Sequence, residues 1–551
     1  MLRGCTPWPP QFAQDYRQKG YWEGITLGEM LDMSVEEYGP REALVFNDQR
    51  VTYRELGDRV NRLAFHFAEQ GLKPLDRVLL QLPNIPEFVY VYFALVKIGV
   101  IPVMALPPHR QTEIRHFIKY SEAVGYFIPS VYRKFDYRGM AGEMVLEFPN
   151  LKHVFVAGDA HDGQISISKL LDAPVKAAQV AGVLKKYRPN PDEVALMLLS
   201  GGTTALPKLI PRTHDDYVLN SKASGLVSEF NQDTTFLAVL PLAHNYTLSS
   251  PGIQGTLFCG GKVVIAPGVD PETVFSLVEK EKVNVIAAAV PLVSNWLNSP
   301  IPALYNLTSL KVVQNGGAKL APELRKRLQD KFGCTPQEVF GTAEGLLNMT
   351  RLSDQGDILY NSSGAPVMDA DEIKVVDENG KEVPDGEPGE LLCRGPYTIR
   401  GYYNAPEINR QAFTKDGFYH MGDVVRKYGR YIYAEGRKKD LINRGGEKIS
   451  CDEVENFIFA YPKVKEVCLV AMPDEVFGEK ACAFVVPKAG EVITFEELIQ
   501  FLLKQNIAKF KLPERLELVE QFPISPAGKI LKRALREMIT EKLLQEKGKI
   551  S

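Results

Sequence analysis

The sequence predicts an α/β protein: a large N-terminal domain of layered α/β subdomains with a small β-subdomain, then a small α+β C-terminal domain. Three observations carry this prediction. From about residue 25 to 430, helical patterns alternate with short β-branched runs, as expected of largely buried parallel strands. Between Glu372 and Arg394 the texture changes to short strands and charged turns such as Asp377-Glu378-Asn379-Gly380. After Gly436-Arg437-Lys438-Lys439-Asp440 the pattern restarts and runs for about 110 residues, enough for a separate domain. A chain of 551 residues is also too long for one core. The economical division is 1–438 for the large domain and 439–551 for the small one.

Taken in order, the elements support this plan. The start, Met1-Leu2-Arg3-Gly4-Cys5-Thr6-Pro7-Trp8-Pro9-Pro10, lacks the apolar core of a signal peptide. Strands are expected at Arg77–Leu82, Thr235–Leu240 and Val283–Ala289. The apolar stretch from Val89 to Leu106 is interrupted by Lys97, Gly99 and Pro102, so it reads as a buried helix and a core strand, not a membrane span. In the small domain, helices are expected at Cys451–Ala460, Thr494–Leu503 and from Ile530, with strands at Val464–Met472 and Ala481–Pro487.

Composition excludes several functions. With Lys+Arg 65 against Asp+Glu 68, nothing suggests a nucleic-acid coat or an anionic membrane partner. The seven cysteines are scattered and never spaced C-x-x-C, which argues against zinc and structural disulfides and for a reducing cytoplasm.

The most informative stretch is Leu196 to His214. An apolar strand opens into Ser200-Gly201-Gly202-Thr203-Thr204-Ala205-Leu206-Pro207-Lys208, a small hydroxyl-rich turn ending in a lysine. Such a turn offers backbone N–H groups and a cation to a polyphosphate. A P-loop needs glycine before the lysine and Ser or Thr after it, whereas Pro207 and Leu209 stand there. The segment instead resembles the phosphate loop of the acyl-adenylate-forming superfamily, with Ala205 in place of the family's usual glycine.

Further motifs extend that resemblance over nearly the whole chain. Phe340-Gly341-Thr342-Ala343-Glu344-Gly345 is similar to the family's aromatic-Gly-x-Thr-Glu element. Tyr419-His420-Met421-Gly422-Asp423 is similar to its Tyr-Arg-Thr-Gly-Asp element, with His420 and Met421 departing from the pattern. Glu435-Gly436-Arg437-Lys438-Lys439-Asp440 resembles the hinge, and Pro523-Ile524-Ser525-Pro526-Ala527-Gly528-Lys529 the loop that delivers the catalytic lysine.

The resemblance implies an ATP- and Mg²⁺-dependent ligase in which the small domain is mobile. Thr203, Thr204 and Lys208 would hold ATP phosphates, Phe340 the adenine, and Asp423 and Arg437 the ribose, with Gly317 also in the ATP site. Glu344 would hold Mg²⁺, Lys529 would bridge the carboxylate and the nucleotide, and Lys439 would be the hinge. A carboxylate attacking a polyanion needs positive charge where negative charge builds up, which explains the lysines and the metal.

Pro241 to Gly252 resembles the aryl-acid branch, whose stand-alone members activate 2,3-dihydroxybenzoate or salicylate for siderophores. By that likeness Asn245 bonds the ring 2-hydroxyl, Gly316 lines the acid site, and His244 is a gate for a phosphopantetheine arm and not a proton carrier. Ser250 points to 2,3-dihydroxybenzoate, and Leu347 to salicylate. The hydroxyl outweighs a methylene, so 2,3-dihydroxybenzoate is the expected substrate, with a salicylate-AMP ligase or an aryl-CoA ligase as alternatives. The expected acceptor is an aryl carrier protein on a separate chain. A non-catalytic nucleotide-binding protein would be expected to lack Lys529, Glu344 or Asp423, and all three are present.

Overall fold

The computed structural model describes residues 1–200, 207–445, 447–505, 507–525 and 529–548. Two large sheets form the N-terminal part. One has nine strands, and its six central members run parallel, in the spatial order Thr335–Thr342, Val312–Gly316, Val285–Ala288, Thr235–Ala238, Lys262–Ile265 and Glu42–Phe46. Gly345–Met349 joins it antiparallel beside Thr335–Thr342. The other sheet has seven strands and includes Arg77–Leu80, Ile101–Met104 and Val194–Leu199, with Leu209–Thr213 antiparallel at its edge.

Strands such as Arg77–Leu80, Ile101–Met104 and Val285–Ala288 are almost wholly apolar and buried, as expected where both faces of a sheet are covered. Helix Pro86–Lys97, with every residue but Glu87 buried, lies in that interior and leads into strand Ile101–Met104. It accounts for the apolar stretch noted in the sequence. Among the described residues, no helix is long and apolar enough to cross a membrane. All seven cysteines are free.

The β-subdomain is larger than the 372–394 change of texture predicts. Its four antiparallel strands are Glu372–Val376, Gly389–Arg394, Tyr419–Tyr428 and Tyr431–Arg437. The last two alternate between buried and half-buried positions, which is the mark of a sheet with one wet face. The small C-terminal domain has five strands, with Gly478–Pro487 paired to Val464–Asp474 and to Arg515–Leu518. Helices cover both of its faces. Val467 and Leu469 pack toward Val454 and Leu498, whereas Cys468 and Val470 pack toward Leu535 and Ile539.

One buried cation joins the layers. Arg212, on the edge strand, pairs through Nε with Asp216 Oδ1 at 2.7 Å, and neither side chain has any solvent exposure. Its NH1 donates to the Ala343 carbonyl at 2.9 Å and its NH2 to the Tyr397 carbonyl at 3.2 Å. Asp216 Oδ2 in turn accepts from the Thr213 N–H and hydroxyl, completing the capping box that starts helix His214–Val227.

Removing one partner of such a pair leaves an uncompensated buried charge. Arg212→Met is expected to lower unfolding stability by about 3–5 kcal/mol in denaturant titration, and Arg212→Met with Asp216→Asn by less than the single change. A loss below about 1 kcal/mol for Arg212→Met would show that this guanidinium does not hold the layers together.

Candidate functional site

The crevice is assembled from strand ends and the loops that leave them. Strand Val194–Leu199 ends at Ser200, whose hydroxyl accepts from the Lys208 N–H at 2.9 Å, closing the neck of the phosphate-type loop. Thr203 and Thr204 lie outside the described residues. Lys208 Nζ stands 4.1 Å from the centroid of the Tyr402 ring. The Tyr402 hydroxyl donates to Glu344 Oε1 at 2.8 Å, so one tyrosine touches both the lysine and the carboxylate. Its hydroxyl also lies 3.1 Å from that of Tyr419.

Glu344 occupies the turn between strands Thr335–Thr342 and Gly345–Met349. Two constraints hold that turn: the Glu344 carbonyl accepts from the Ile399 N–H at 2.7 Å, and Gly345 takes φ +141° with Thr398 against it. A Cβ at Gly345 would come within 2.4 Å of the Thr398 backbone, so only glycine fits there. Phe340 lies partly buried on the first of these strands, opposite Asn348, and Leu347 is buried opposite Gly341.

Asp423 and Arg437 are cross-strand neighbours, joined by Oδ1 and Nε at 2.9 Å. Asp423 Oδ2 is buried and accepts no hydrogen bond among the described residues. Burial pushes this carboxyl up to about 6, although Arg437 and Lys529 pull it down.

Lys529 reaches the crevice from the small domain, its Cε 3.3 Å from where a Gly317 Cβ would stand. Enclosure by protein and then the Arg437 guanidinium pull its ammonium below the ordinary lysine range, while Asp423 and Glu344 oppose them. Part of its surface stays open to solvent. Its own loop is held by a Lys529 N–H bond to Ser525 Oγ at 3.1 Å.

His244 caps helix Asn245–Ser249, its ring Nδ1 accepting from the Tyr246 N–H at 3.3 Å. Burial, and secondarily Lys529, pull the imidazole down to about 4, so it is neutral at pH 7. Asn245 and Ser250 form a polar corner, with Asn245 Nδ2 3.5 Å from Ser250 Oγ. Tyr217 donates to Asn245 Oδ1 at 2.8 Å. Gly316 ends its strand under the Tyr246 ring, 2.8 Å from where a Cβ would stand. The backbone of Lys439 lies in the 3-10 turn Lys438–Asp440, where the Asp440 carboxylate pairs with Arg536.

The structure thus brings Lys208 and Glu344 together through Tyr402, and Asp423, Arg437 and Lys529 into one group of interacting charges. Tyr402 and Tyr217 were missed by motif reading. The Gly401-Tyr402-Tyr403 triplet after Arg400 offers only a weak clue to the first. Tyr217 lies one helical turn beyond Thr213, and nothing in the spacing marks it. His214, next to the phosphate loop in sequence, accepts from the Leu27 N–H instead and is structural.

Comparison with known proteins gives the family of the chain. Residues 31–403 match the AMP-binding enzyme family, and residues 453–529 the C-terminal domain of AMP-binding enzymes. A 2,3-dihydroxybenzoate-AMP ligase of Bacillus subtilis is 46% identical over 545 residues, covering 99% of each chain. A Streptomyces salicylyl-CoA synthase / salicylate adenylyltransferase is 43% identical over 546 residues, covering 98% of each chain. The apo structure of Mycobacterium smegmatis MbtA, 38% identical, aligns with a TM-score of 0.73 over 97% of this chain and 98% of that one. The likeness runs through both parts of the crevice and through the small domain that supplies Lys529, and the chain belongs to the AMP-binding enzymes, the acyl-adenylate-forming ligases that its motifs resemble.

Proposed function

We propose that this chain activates an aryl acid, 2,3-dihydroxybenzoate in preference to salicylate, and passes the acyl group to the phosphopantetheine thiol of an aryl carrier protein on a separate chain in the cytoplasm. The observation that carries the proposal is the placement of Lys529 against Gly317, within electrostatic reach of Asp423, Arg437 and His244. In the first half-reaction an acid oxygen attacks the α-phosphorus of ATP, the bond to the β-phosphate oxygen breaks, and aryl-AMP and pyrophosphate form.

Each residue acts by position and charge. Asp423 Oδ2, buried without a partner among the described residues, accepts a ribose hydroxyl, with Arg437 beside it. Phe340 stacks on the adenine, and Gly317 lines the ATP site beside Lys529. Lys208, with Thr203 and Thr204, draws the departing pyrophosphate, and Lys529 neutralises charge on the attacking carboxylate and the α-phosphate. No side chain becomes a covalent nucleophile, and the neutral His244 transfers no proton but gates the thiol's approach.

The donor set fits Mg²⁺. Among the described residues no cluster of three or more His, Cys, Asp or Glu forms a metal cage, and Mg²⁺ held by one carboxylate together with substrate phosphates requires none. Glu344, oriented by Tyr402, is that carboxylate. When bound, the ion would screen phosphate charge. The small domain, from residue 439 onward, then turns about Lys439 to withdraw Lys529 and bring a different face, around Gly445-Gly446-Glu447-Lys448, toward the thiol.

Asn245 and Ser250 read the 2- and 3-hydroxyls, and Gly316 floors the acid site. Leu347 and the salicylate-active relative support salicylate as the second substrate. ATP–pyrophosphate exchange across benzoate, 3-hydroxybenzoate, salicylate and 2,3-dihydroxybenzoate tests this. 2,3-Dihydroxybenzoate is expected to exceed salicylate by about tenfold, the worth of one neutral hydrogen bond, and Ser250→Cys to erode the margin. A preference of the unmutated enzyme for salicylate would place Leu347 above Ser250.

Lys529→Ala is expected to abolish exchange while leaving transfer from supplied aryl-AMP largely intact, and equal loss of both would refute the division of labour between conformations. Asp423→Asn separates binding from stability. A carboxyl raised from 3.8 to about 6 binds more protons folded than unfolded, so its contribution to stability falls as pH rises from about 4 to about 6. The asparagine variant is therefore expected to melt higher at pH 7 and to lose at least about tenfold in kcat/KM for ATP. Unchanged ATP dependence would remove Asp423 from the nucleotide site.

A further inference from the structure

The polar corner of the acid pocket has a direction. Tyr217 is buried, and burial keeps its phenol protonated, so it has one proton to donate. It donates to Asn245 Oδ1 at 2.8 Å, whereas the Ser249 hydroxyl, also beside it, already engages Asn220 and Ser221. The phenol cannot swing away, because the Arg212 guanidinium lies over its ring, 4.8 Å from Cζ to the centroid, and Arg212 is itself tied to Asp216 and two backbone carbonyls. With its carbonyl oxygen committed to Tyr217, the Asn245 amide turns its NH2 toward Ser250 Oγ. The side chain therefore offers a donor to the pocket and withholds its acceptor.

We infer that Tyr217 is a positioning residue that sets substrate specificity: by locking the Asn245 amide with its NH2 inward, it makes the site select acids with a hydrogen-bond acceptor ortho to the carboxylate and reject those with a donor there. This rests on the proposal that Asn245 faces the aryl acid. A 2-hydroxyl satisfies the site, because its proton turns to the neighbouring carboxylate and its oxygen lone pairs face the amide. A 2-amino group does not, because its nitrogen lone pair is delocalised into the ring and its remaining N–H meets the Asn245 NH2 head on. A buried donor facing a donor leaves both unpaired, which is where discrimination is steepest.

The test is ATP–pyrophosphate exchange with salicylate, 2-aminobenzoate and benzoate, for the unmutated enzyme and for Tyr217→Phe. The phenylalanine keeps the ring under Arg212, and a melting curve checks that the fold is retained. The unmutated enzyme is expected to favour salicylate over 2-aminobenzoate by at least about a hundredfold in kcat/KM. Tyr217→Phe frees the amide to flip and is expected to cut that ratio by about tenfold, chiefly by raising activity on 2-aminobenzoate, with benzoate changed little. A ratio unmoved by Tyr217→Phe, or salicylate and 2-aminobenzoate used equally by the unmutated enzyme, overturns the inference while leaving aryl-acid activation standing. A variant that loses activity on all three acids in equal proportion also overturns it, since a purely structural role gives that result. Failure of the unmutated enzyme to activate salicylate or 2,3-dihydroxybenzoate at all would sink the aryl-acid proposal, and this inference with it.

Discussion

The buried guanidinium of Arg212 is the constraint on which the crevice depends. Its three donor nitrogens reach a helix carboxylate and two carbonyls that lie 131 and 185 residues away in the chain. Those carbonyls belong to Ala343, beside Glu344, and to Tyr397, just before the segment that holds the Glu344 turn through Ile399. The strand leaving the phosphate loop is thereby fixed to the carboxylate turn. Burying such a charge is costly, and it is tolerated because the ion pair and the two carbonyls give each of the three nitrogens a partner. The same cation covers the ring of Tyr217, so one residue bears on both the Glu344 turn and the Tyr217–Asn245 contact.

Around that fixed point the site gathers three cations, Lys208, Lys529 and Arg437, against two carboxylates, Glu344 and Asp423. The arrangement suits a polyanionic nucleotide, and its elements come from different parts of the fold. Lys208 and Glu344 share the phenol of Tyr402, which couples the phosphate loop to the proposed metal position. Asp423 and Arg437 are set by strand register in the β-subdomain. Lys529 alone arrives from the small domain, so the charge balance of the crevice depends on where that domain stands. On the proposed mechanism, its position beside Gly317 corresponds to the adenylate-forming half-reaction, in which the lysine is needed.

Legibility in the sequence followed chain locality. The α/β alternation, the small domain and most of its strands and helices were readable because hydrophobic period and turn residues are local properties. Lys208, Asp423 and Lys529 were readable because each ends a short stretch whose glycines and prolines mark a turn. The β-subdomain was underestimated, since the half-buried alternation of Tyr419–Tyr428 sits at the end of a long α/β stretch and reads as part of it. Arg212 gave no sign of its importance, because its partners at Ala343 and Tyr397 are brought to it only by folding. Tyr402 and Tyr217 escaped for the same reason: a tyrosine's role depends on what lies across the crevice from its hydroxyl.

The central claim is that this constellation directs an acid oxygen to the α-phosphorus. The direct measurement supplies 2,3-dihydroxybenzoate labelled with ¹⁸O in its carboxylate, lets the activated acyl group pass to a thiol, and weighs the nucleotide and phosphate products. Attack at the α-phosphorus leaves one labelled oxygen in AMP and none in pyrophosphate. Label recovered in orthophosphate, with ADP as the nucleotide product, would mean attack at the γ-phosphorus and would contradict the roles given to Lys208, Asp423 and Lys529.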